Sequence, residues 1–161
     1  MNPPPADSVI WRALVALLLV VTANSAAWAA GRSIGRCWTA PLDFGWTLRD
    51  GTRLLGSHKT WSGFIGAAIG CGLVAQLTGH GFALGAGFGA LALLADAASS
   101  FVKRRLDMPS GAEVFGLDQI PEALLPLLVW SQALGIGMLT VLGVTVTFIA
   151  LDVAATRLRH P

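Results

Sequence analysis

Long apolar stretches, separated by short clusters of charge, dominate the chain. Three of the four stretches carry no charge, and the remaining one contains a single acid, Asp96. About 20 apolar residues span the hydrocarbon core of a bilayer, so the first three stretches each predict one membrane helix. In chain order the stretches are Ala13–Ala30, Thr60–Gly79, Gly81–Val102 and Ala123–Leu151.

The fourth stretch is too long for one ordinary span. Its 29 residues would form a helix of roughly 43 Å, whereas the hydrocarbon core is about 30 Å thick. It is either one strongly tilted helix or two short helices that meet near residues 131–137. Basic residues cluster in the segment 31–59, at Lys103-Arg104-Arg105 and at the C-terminus. The positive-inside rule places all three clusters in the cytoplasm, and this requires the fourth stretch to cross the membrane twice.

The pattern therefore predicts an all-α integral membrane protein with five transmembrane helices. We expect a single membrane domain, 1–161, with the N-terminus outside, the C-terminus in the cytoplasm, and rather short fourth and fifth helices. The predicted helices are about 10–30, 60–79, 81–102, 119–135 and 138–156, with cytoplasmic loops 31–59 and 103–118.

The first stretch has a second interpretation. Its apolar centre and its A-x-A-like end are also typical of a cleaved signal peptide. Only Arg12 precedes the apolar centre as a basic residue, and the other basic residues follow it. A retained helix is therefore the preferred prediction.

Composition agrees with a membrane protein. The chain is 54% hydrophobic and 12% charged, with a mean hydropathy of +0.65, whereas soluble domains carry about 25% charged residues. Cys37 falls in a cytoplasmic loop and Cys71 in the second helix, so no disulfide is expected. We expect no nucleic-acid partner, and the sequence leaves the oligomeric state open.

Glycines recur every four residues in the second and third apolar stretches. They are Gly66 and Gly70 in the second, and Gly81, Gly85 and Gly89 in the third. Small residues at this spacing let membrane helices approach closely. The connection between the two stretches is very short, so they are predicted to form an antiparallel hairpin.

Candidate chemistry begins with the acid in the third stretch. Asp96, Ser99 or Ser100, and Lys103 are spaced so that they share one helix face. Asp96 would lie about 10 Å deeper than Lys103. A charge at the centre of a membrane helix costs about 2.5–3.5 kcal/mol on insertion scales, so such acids usually have a function. Magnesium binds through one or two carboxylates together with substrate phosphates, and basic side chains neutralise those phosphates.

Two further segments are predicted to reach the same region. Asp118 precedes a proline-initiated helix and would approach Asp96 if the third and fourth helices pack together. Lys59 and Thr60 lie at the start of the second helix, where free N–H groups favour a phosphate. Glu113 and Glu122 are predicted to be solvated.

Each of these residues also has a non-catalytic interpretation. Lys103, Arg104 and Arg105 can be topology anchors, Lys59 an interface anchor, and the serines backbone partners. Under this hypothesis the chain is a non-enzymatic small membrane protein, a transporter subunit or an assembly partner, in which Asp96 pairs with a cation from another helix.

Three motifs, in this order and spacing, resemble the CDP-archaeol synthase family, relatives of the phosphatidate cytidylyltransferases. The resemblance covers roughly residues 41–127, including PLDFG at 41–45. The motifs are LLGSHKTWSGFIGA (54–67), LLADAASSFVKRRLDMPSG (93–111) and FGLDQIPEALL (115–125).

The resemblance implies that a membrane lipid phosphate attacks the α-phosphorus of CTP in the presence of Mg²⁺, giving a CDP-lipid and pyrophosphate. The acceptor would be 2,3-bis-O-geranylgeranyl-glycerol 1-phosphate or phosphatidate, at a cytoplasmic site of the cell (inner) membrane. Asp96 and Asp118 would bind the metal, and Asp43 is a weaker addition. Lys59, Lys103, Arg104 and Arg105 would bind phosphates, with Lys103 among the catalytic residues. Thr60, Ser100 and Gln119 would be polar helpers.

Some positions depart from the family pattern. Ser62 occupies a position where arginine tends to follow KTW, and this puts one phosphate contact in doubt. Ala95 stands where a glycine often precedes the aspartate, a tolerable change because alanine is also small. The paired DRxD of phosphatidate cytidylyltransferases is absent. CDP-alcohol phosphotransferases are excluded by their own signature, because the segment beginning Asp50-Gly51 lacks its AR pair and its later aspartates.

Overall fold

Five α-helices account for most of the chain. The computed structural model describes residues 8–33, 40–49, 51–109, 114 and 116–159, and this part contains no β-strand. The prediction of an all-α chain is confirmed. The helices are α1 (Val9–Ser33), α2 (Trp61–Leu77), α3 (Phe82–Arg105), α4 (Gln119–Leu134) and α5 (Met138–Arg159).

Three helices are long and apolar enough to cross a membrane by themselves: α1, α3 and the part of α5 from Met138 to Arg157. α2 is apolar but has 17 residues, and α4 has 16 with Pro126 inside it. Their lengths correspond to about 24–26 Å, somewhat less than the hydrocarbon core. The chain is therefore an all-α membrane protein, and five crossings with the predicted orientation stay a prediction.

The fourth apolar stretch is divided at Gly135, which separates α4 from α5. Gly135 adopts the left-handed conformation (φ +63°) that ends α4. A Cβ atom at this position would also lie 2.9 Å from the guanidinium of Arg12. Arg12 donates a hydrogen bond of 3.0 Å to the Gly135 carbonyl oxygen, so the beginning of α1 is attached to the α4–α5 turn.

The core lies where the five helices meet, and α1 is part of it. Leu19 of α1, Phe88 of α3 and Leu127 of α4 are fully buried there. The thiol of Cys71 is buried and donates to the Leu19 carbonyl oxygen at 3.4 Å, without forming a disulfide. The sequence predicted no disulfide between Cys71 and Cys37, and Cys37 lies outside the described residues.

Four of the five predicted glycines allow close helix packing, on two different interfaces, whereas a Cβ atom at Gly81 would have nothing of the described chain within 4 Å. A Cβ atom at Gly85 would lie 2.1 Å from the Cys71 carbonyl oxygen, and one at Gly89 would lie 2.4 Å from that of Ala67. Both glycines therefore bring α3 against the backbone of α2, as a hairpin requires. Gly66 and Gly70 instead face the α1 residues Ala30 and Ala26. α2 is thus packed between α1 and α3.

Gly85→Ala is expected to destabilise the protein by about 1–3 kcal/mol, because the new methyl group meets a backbone carbonyl that cannot rotate away. The measurement is thermal unfolding of the purified protein in detergent. Gly143→Ala is the matched control, because that helical position has nothing within 4 Å of the added carbon. There the change should be neutral or stabilising by up to about 1 kcal/mol. Equal melting temperatures for the two variants would contradict the packing argument.

The two ends of the helix bundle differ in charge. One end holds the loop 40–60, the last turn of α3 with Lys103-Arg104-Arg105, and the start of α4. The opposite end holds the short turns 78–81 and 135–137, with Arg12 beside the second of them. We refer to the first as the basic end of the bundle.

Candidate active site at the basic end

Two ion pairs connect α3 with its neighbours at the basic end. The Lys59 ammonium, just before α2, contacts Asp96 of α3. The Lys103 Nζ of α3 lies 2.7 Å from Asp118 Oδ1, just before α4. The side chains of Asp96 and Asp118 are only 15% and 17% exposed. Both predicted metal-binding acids therefore point into the protein, each beside a predicted phosphate-binding lysine.

A cavity of about 410 Å³ opens beside the Lys59–Asp96 pair, between α1, the segment 57–60, α3 and α4. Its wall brings basic groups together with acids. The basic side chains are Arg32, His58 and Lys59, and the acids are Asp96 and Glu122. A cavity with this mixture can take a charged ligand that carries both phosphates and a bound cation.

The local chain path fixes Lys59 at the edge of the cavity. Thr60 is the N-cap of α2 in extended conformation (φ −118°, ψ 152°), and its hydroxyl accepts from Gly63 N at 3.3 Å. The Leu42 N–H donates to the Lys59 carbonyl oxygen at 2.7 Å, and the Trp61 N–H donates to that of Ala40 at 3.1 Å. Lys59 thus lines the cavity from a segment that backbone hydrogen bonds fix on both sides of it. Thr60 lines the cavity while its hydroxyl caps the helix.

Asp43 organises the loop before α2. Its buried carboxylate accepts hydrogen bonds of 2.8 to 3.2 Å from four donors, the Arg53 guanidinium and the N–H groups of Gly45, Leu55 and Gly56. Burial by itself would raise the pKa of this carboxyl, but the hydrogen bonds outweigh it and the pKa lies below the ordinary 3.8. The geometry gives Asp43 a structural role in the loop.

Acidification is expected to loosen this loop. Because the pKa of Asp43 is lower in the folded protein, the ionised carboxylate stabilises the loop above about pH 4. That stabilisation is lost as the pH falls through the folded pKa. Cleavage of the loop should therefore increase below about pH 4 in the wild type, measured with an acid-active protease there and with a neutral protease at pH 6. Asp43→Asn should be cleaved readily at pH 6 as well; equal resistance of the two proteins at pH 6 would contradict this role.

Arg104 and Arg105 lie at the basic end but outside the lining of the 410 Å³ cavity. Arg104 donates to the Pro109 carbonyl oxygen at 2.6 Å. Arg105 donates to the Thr52 hydroxyl and, at 3.1 Å, to the Arg53 carbonyl oxygen. In this structure Arg104 holds the segment after α3 and Arg105 holds the loop before α2, and their predicted phosphate contacts stay a prediction.

The remaining predicted residues lie deeper or to one side. Ser100 is buried on α3, and neighbouring Ser99 donates to the Ala95 carbonyl oxygen at 3.1 Å. Gln119 accepts from Gly116 N at 2.9 Å and donates to Asp152 of α5 at 3.0 Å. Gln119 therefore connects the start of α4 with α5.

The prediction that Glu122 is solvated is wrong. Its residue is 7% exposed and lines the cavity together with Asp96. The sequence did contain a signal for this burial: Glu122 lies four residues after Asp118, and this spacing puts both acids on one helix face. Glu113 lies outside the described residues. The cavity contribution of α1, from Asn24, Trp28 and Arg32, was also missed; a polar residue such as Asn24 within an apolar helix was the available signal.

Comparison with known proteins gives one consistent family. A family model described as "CarS-like: CDP-archaeol synthase" matches residues 7–85. Proteins named CDP-archaeol synthase are 40% identical over 92 residues in Pyrococcus horikoshii and 37% identical over 124 residues in Thermofilum pendens. These alignments cover 49% and 71% of this chain, and 53% and 56% of the relatives. The matched part thus spans about half the length of these curated relatives.

A solved structure extends the likeness to nearly the whole chain. It is described as an intramembrane enzyme for archaeal membrane lipids biosynthesis. The match covers 92% of this chain and 94% of that one, at 30% identity and a TM-score of 0.72. The chain belongs to the CDP-archaeol synthase family. The resemblance inferred from the three motifs is confirmed.

Membership in the CDP-archaeol synthase family raises the question of magnesium, and the donor set at the basic end fits it. Asp96 and Asp118 supply carboxylate oxygens, the ligands that Mg²⁺ prefers. Among the described residues no group of three or more His, Cys, Asp or Glu side chains converges as a metal site. Magnesium in nucleotide enzymes needs only one or two carboxylates, because substrate phosphates complete its shell. The residues therefore fit a metal that arrives with a nucleotide.

Ser62, where the sequence departs from the CDP-archaeol synthase family pattern, is buried and lies within α2. Its hydroxyl lies 3.1 Å from the Thr60 hydroxyl. The side chain thus completes the polar N-terminus of α2. Arg32 and His58 place other basic groups on the same cavity.

Proposed function

We propose that this protein is a CTP-dependent cytidylyltransferase that activates a membrane lipid phosphate. The observation that carries the proposal is the pair of lysine–aspartate contacts at one end of a membrane bundle, one of them beside a cavity that holds basic and acidic groups. The relatives named CDP-archaeol synthase support the same reaction. The products are a CDP-lipid, used in phospholipid biosynthesis, and pyrophosphate.

The reaction is a direct transfer. A phosphate oxygen of the lipid attacks the α-phosphorus of CTP, a new P–O–P bond forms, and the bond between the α- and β-phosphates breaks. Pyrophosphate leaves with the bonding electrons. The lipid phosphate is itself the nucleophile, so the protein contributes position and charge neutralisation.

The lysines and the aspartates have complementary roles in this proposal. Lys59 and Lys103 bind the phosphates of CTP and lipid, while Thr60, Ser100, Gln119 and the two arginines support the site. Asp96 and Asp118 are the residues that would hold Mg²⁺, which supplies charge neutralisation at the transferring and leaving phosphates. When phosphates enter, each lysine gains a second anionic partner beside its aspartate.

The membrane orientation follows from the distribution of charge. Cations in cytoplasmic segments outnumber those outside, and the basic end carries the loop 40–60 and Lys103-Arg104-Arg105. We therefore place the basic end and the active site in the cytoplasm, with five crossings and the N-terminus outside. This is the expected arrangement in a cell (inner) membrane, where CTP is available.

A second cavity suits the lipid. It has a volume of about 620 Å³ and lies between α1 and α5. On the α5 side Phe148, Leu151 and Ala155 are apolar, and Asp152 is the one acid among the described residues of the lining. Asn24 and Trp28 of α1 line both this cavity and the one beside Asp96. We assign the α1–α5 cavity to the hydrocarbon chains of the lipid phosphate, whose head group would lie on the polar side of α1.

Ala155→Trp is expected to raise the KM for the lipid phosphate about tenfold, because the indole fills part of the α1–α5 cavity. The KM for CTP should change less than twofold. Ala154→Trp is the matched control, since Ala154 is exposed and does not line the cavity. Steady-state kinetics with each substrate varied in turn give both constants. A parallel rise of the lipid KM in both variants would argue against this assignment.

The deciding experiment measures pyrophosphate release and CDP-lipid formation by the purified full chain with CTP and Mg²⁺. Two acceptors should be supplied singly and in competition, 2,3-bis-O-geranylgeranyl-glycerol 1-phosphate and a diacyl phosphatidate. The name of the relatives favours the isoprenoid ether acceptor. Formation of no CDP-lipid from either acceptor would contradict the proposal.

One observation favours the non-enzymatic alternative. Asp96 has a cationic partner from a separate segment, Lys59, as a purely structural acid requires. Under that alternative the protein tolerates Lys59→Ala and Lys103→Ala without loss of function, provided that its topology is preserved. The alternative also predicts that the wild type does not bind CTP in the presence of Mg²⁺. Binding of radiolabelled CTP to the wild type and to both variants separates the two hypotheses.

A further inference from the structure

Glu122 is a buried acid to which the proposed mechanism assigns no role. The residue is 7% exposed and its side chain lines the cavity shared with Lys59 and Asp96. Within the described part of the chain, no group donates a hydrogen bond to its carboxylate or forms an ion pair with it. Asp96 and Asp118, by contrast, each contact a lysine.

The position of Glu122 along the bundle is between the two ion pairs. Asp118 contacts Lys103 near the end of α3, and Asp96 lies about 10 Å further into the bundle along that helix. Glu122 is one turn into α4, about 6 Å deeper than Asp118. Its carboxylate is within electrostatic range of Asp96, Asp118, Asp152 and Lys59. Along the bundle axis, Glu122 thus lies between the Lys103–Asp118 pair and the Lys59–Asp96 pair.

None of the charged groups around Glu122 forms an ion pair with its carboxylate within the described residues, although Arg32 and His58 line the same cavity. Each lysine already contacts an aspartate, and Asp152 accepts a hydrogen bond from neutral Gln119. A buried ionised carboxylate is unfavourable without a partner, and a bound divalent cation would supply one. The cavity beside Glu122 is large enough for a cation with its waters and a phosphate chain.

We propose that Glu122 is a third metal-binding carboxylate, which holds the divalent cation together with Asp96 when the nucleotide is bound. This assignment rests on the proposed function for the identity of the nucleotide. Asp96 of α3 and Glu122 of α4 line the same cavity. Lys59 then stays close enough to contact the phosphates on the same cation.

The test is Mn²⁺ binding, followed by the EPR signal of unbound Mn²⁺ during titration of the purified full chain with CTP present and lipid omitted. Glu122→Gln should weaken Mn²⁺ binding by at least about tenfold. Glu122→Asp, which keeps the charge on a shorter side chain, should weaken it less. Asp107→Asn is the matched control, because Asp107 is an exposed acid near the end of α3 that tolerates asparagine at its positive φ (54°); its affinity should equal that of wild type.

The outcomes separate this assignment from the proposed function. A folded Glu122→Gln protein with wild-type Mn²⁺ affinity overturns the role of Glu122 and leaves the reaction untouched. A wild type that binds Mn²⁺ with CTP but makes no CDP-lipid contradicts the reaction, while weaker binding by Glu122→Gln still supports the metal site. Absence of Mn²⁺ binding in the wild type overturns both. Elution volume and helical circular dichroism verify that each variant is folded.

Discussion

Asp96→Asn is expected to form CDP-lipid about a hundredfold to a thousandfold more slowly than the wild type. Asparagine has the same shape but no charge, so it removes one proposed metal-binding oxygen and leaves Lys59 without its anionic partner. The loss should fall mainly on kcat, because charge neutralisation matters most as the phosphoanhydride bond breaks. Initial rates of pyrophosphate release at saturating CTP measure the effect.

Two controls make this result specific. Asp107→Asn removes an exposed acid at the same end of the protein and should retain full activity. Excess Mg²⁺ should restore part of the Asp96→Asn activity if the defect is weak metal binding, and none if the helix packing is disturbed. An Asp96→Asn protein as active as wild type would refute the metal role of this residue.

Lys103→Met is expected to abolish most activity and also to destabilise the protein by about 2–4 kcal/mol. Lys103 is buried and contacts Asp118 at 2.7 Å, so the substitution leaves a carboxylate inside the protein without its cation. Breaking a fully buried pair in this way costs about 3–5 kcal/mol, and Asp118 retains a hydrogen bond from Val114 N, which lowers the expected loss. Thermal unfolding in detergent and the rate of CDP-lipid formation measure the two effects.

The double variant Lys103→Met/Asp118→Asn distinguishes packing from catalysis. Removing both charges should recover most of the lost stability, because no unpaired charge is then buried. Activity should not recover, since the proposed phosphate contact and the proposed metal ligand are both gone. Recovery of activity together with stability would show that the pair is only structural.

Much of the fold was predictable because it depends on local patterns. Apolar stretches of about 20 residues predict membrane helices from length alone. The division of the fourth stretch was predicted from the charge clusters on its two sides, and the structure places it at Gly135. The direction in which a glycine faces was not visible. Gly66 and Gly70 have the same spacing as Gly85 and Gly89, yet they contact α1, and only tertiary packing decides this.

The site was predictable in part for a similar reason. Asp96 was conspicuous because an acid in an apolar stretch is costly, and Lys59 and Lys103 because they flank the helices. Glu122 looked ordinary because it follows a polar loop, and its burial depends on α1 and α3 closing over α4. Asp43 gathers donors up to 13 residues away, a pattern that only the folded loop creates.

The position of Asn24 and Trp28 affects how mutants must be interpreted. Each residue borders two cavities, one beside Asp96 and one beside Phe148, so both cavities adjoin the same part of α1. Under the proposed function, a substitution at either position should therefore change the Michaelis constants of both substrates at once. Kinetic dissection of nucleotide and lipid recognition has to use residues that border a single cavity, such as His58 for one and Ala155 for the other.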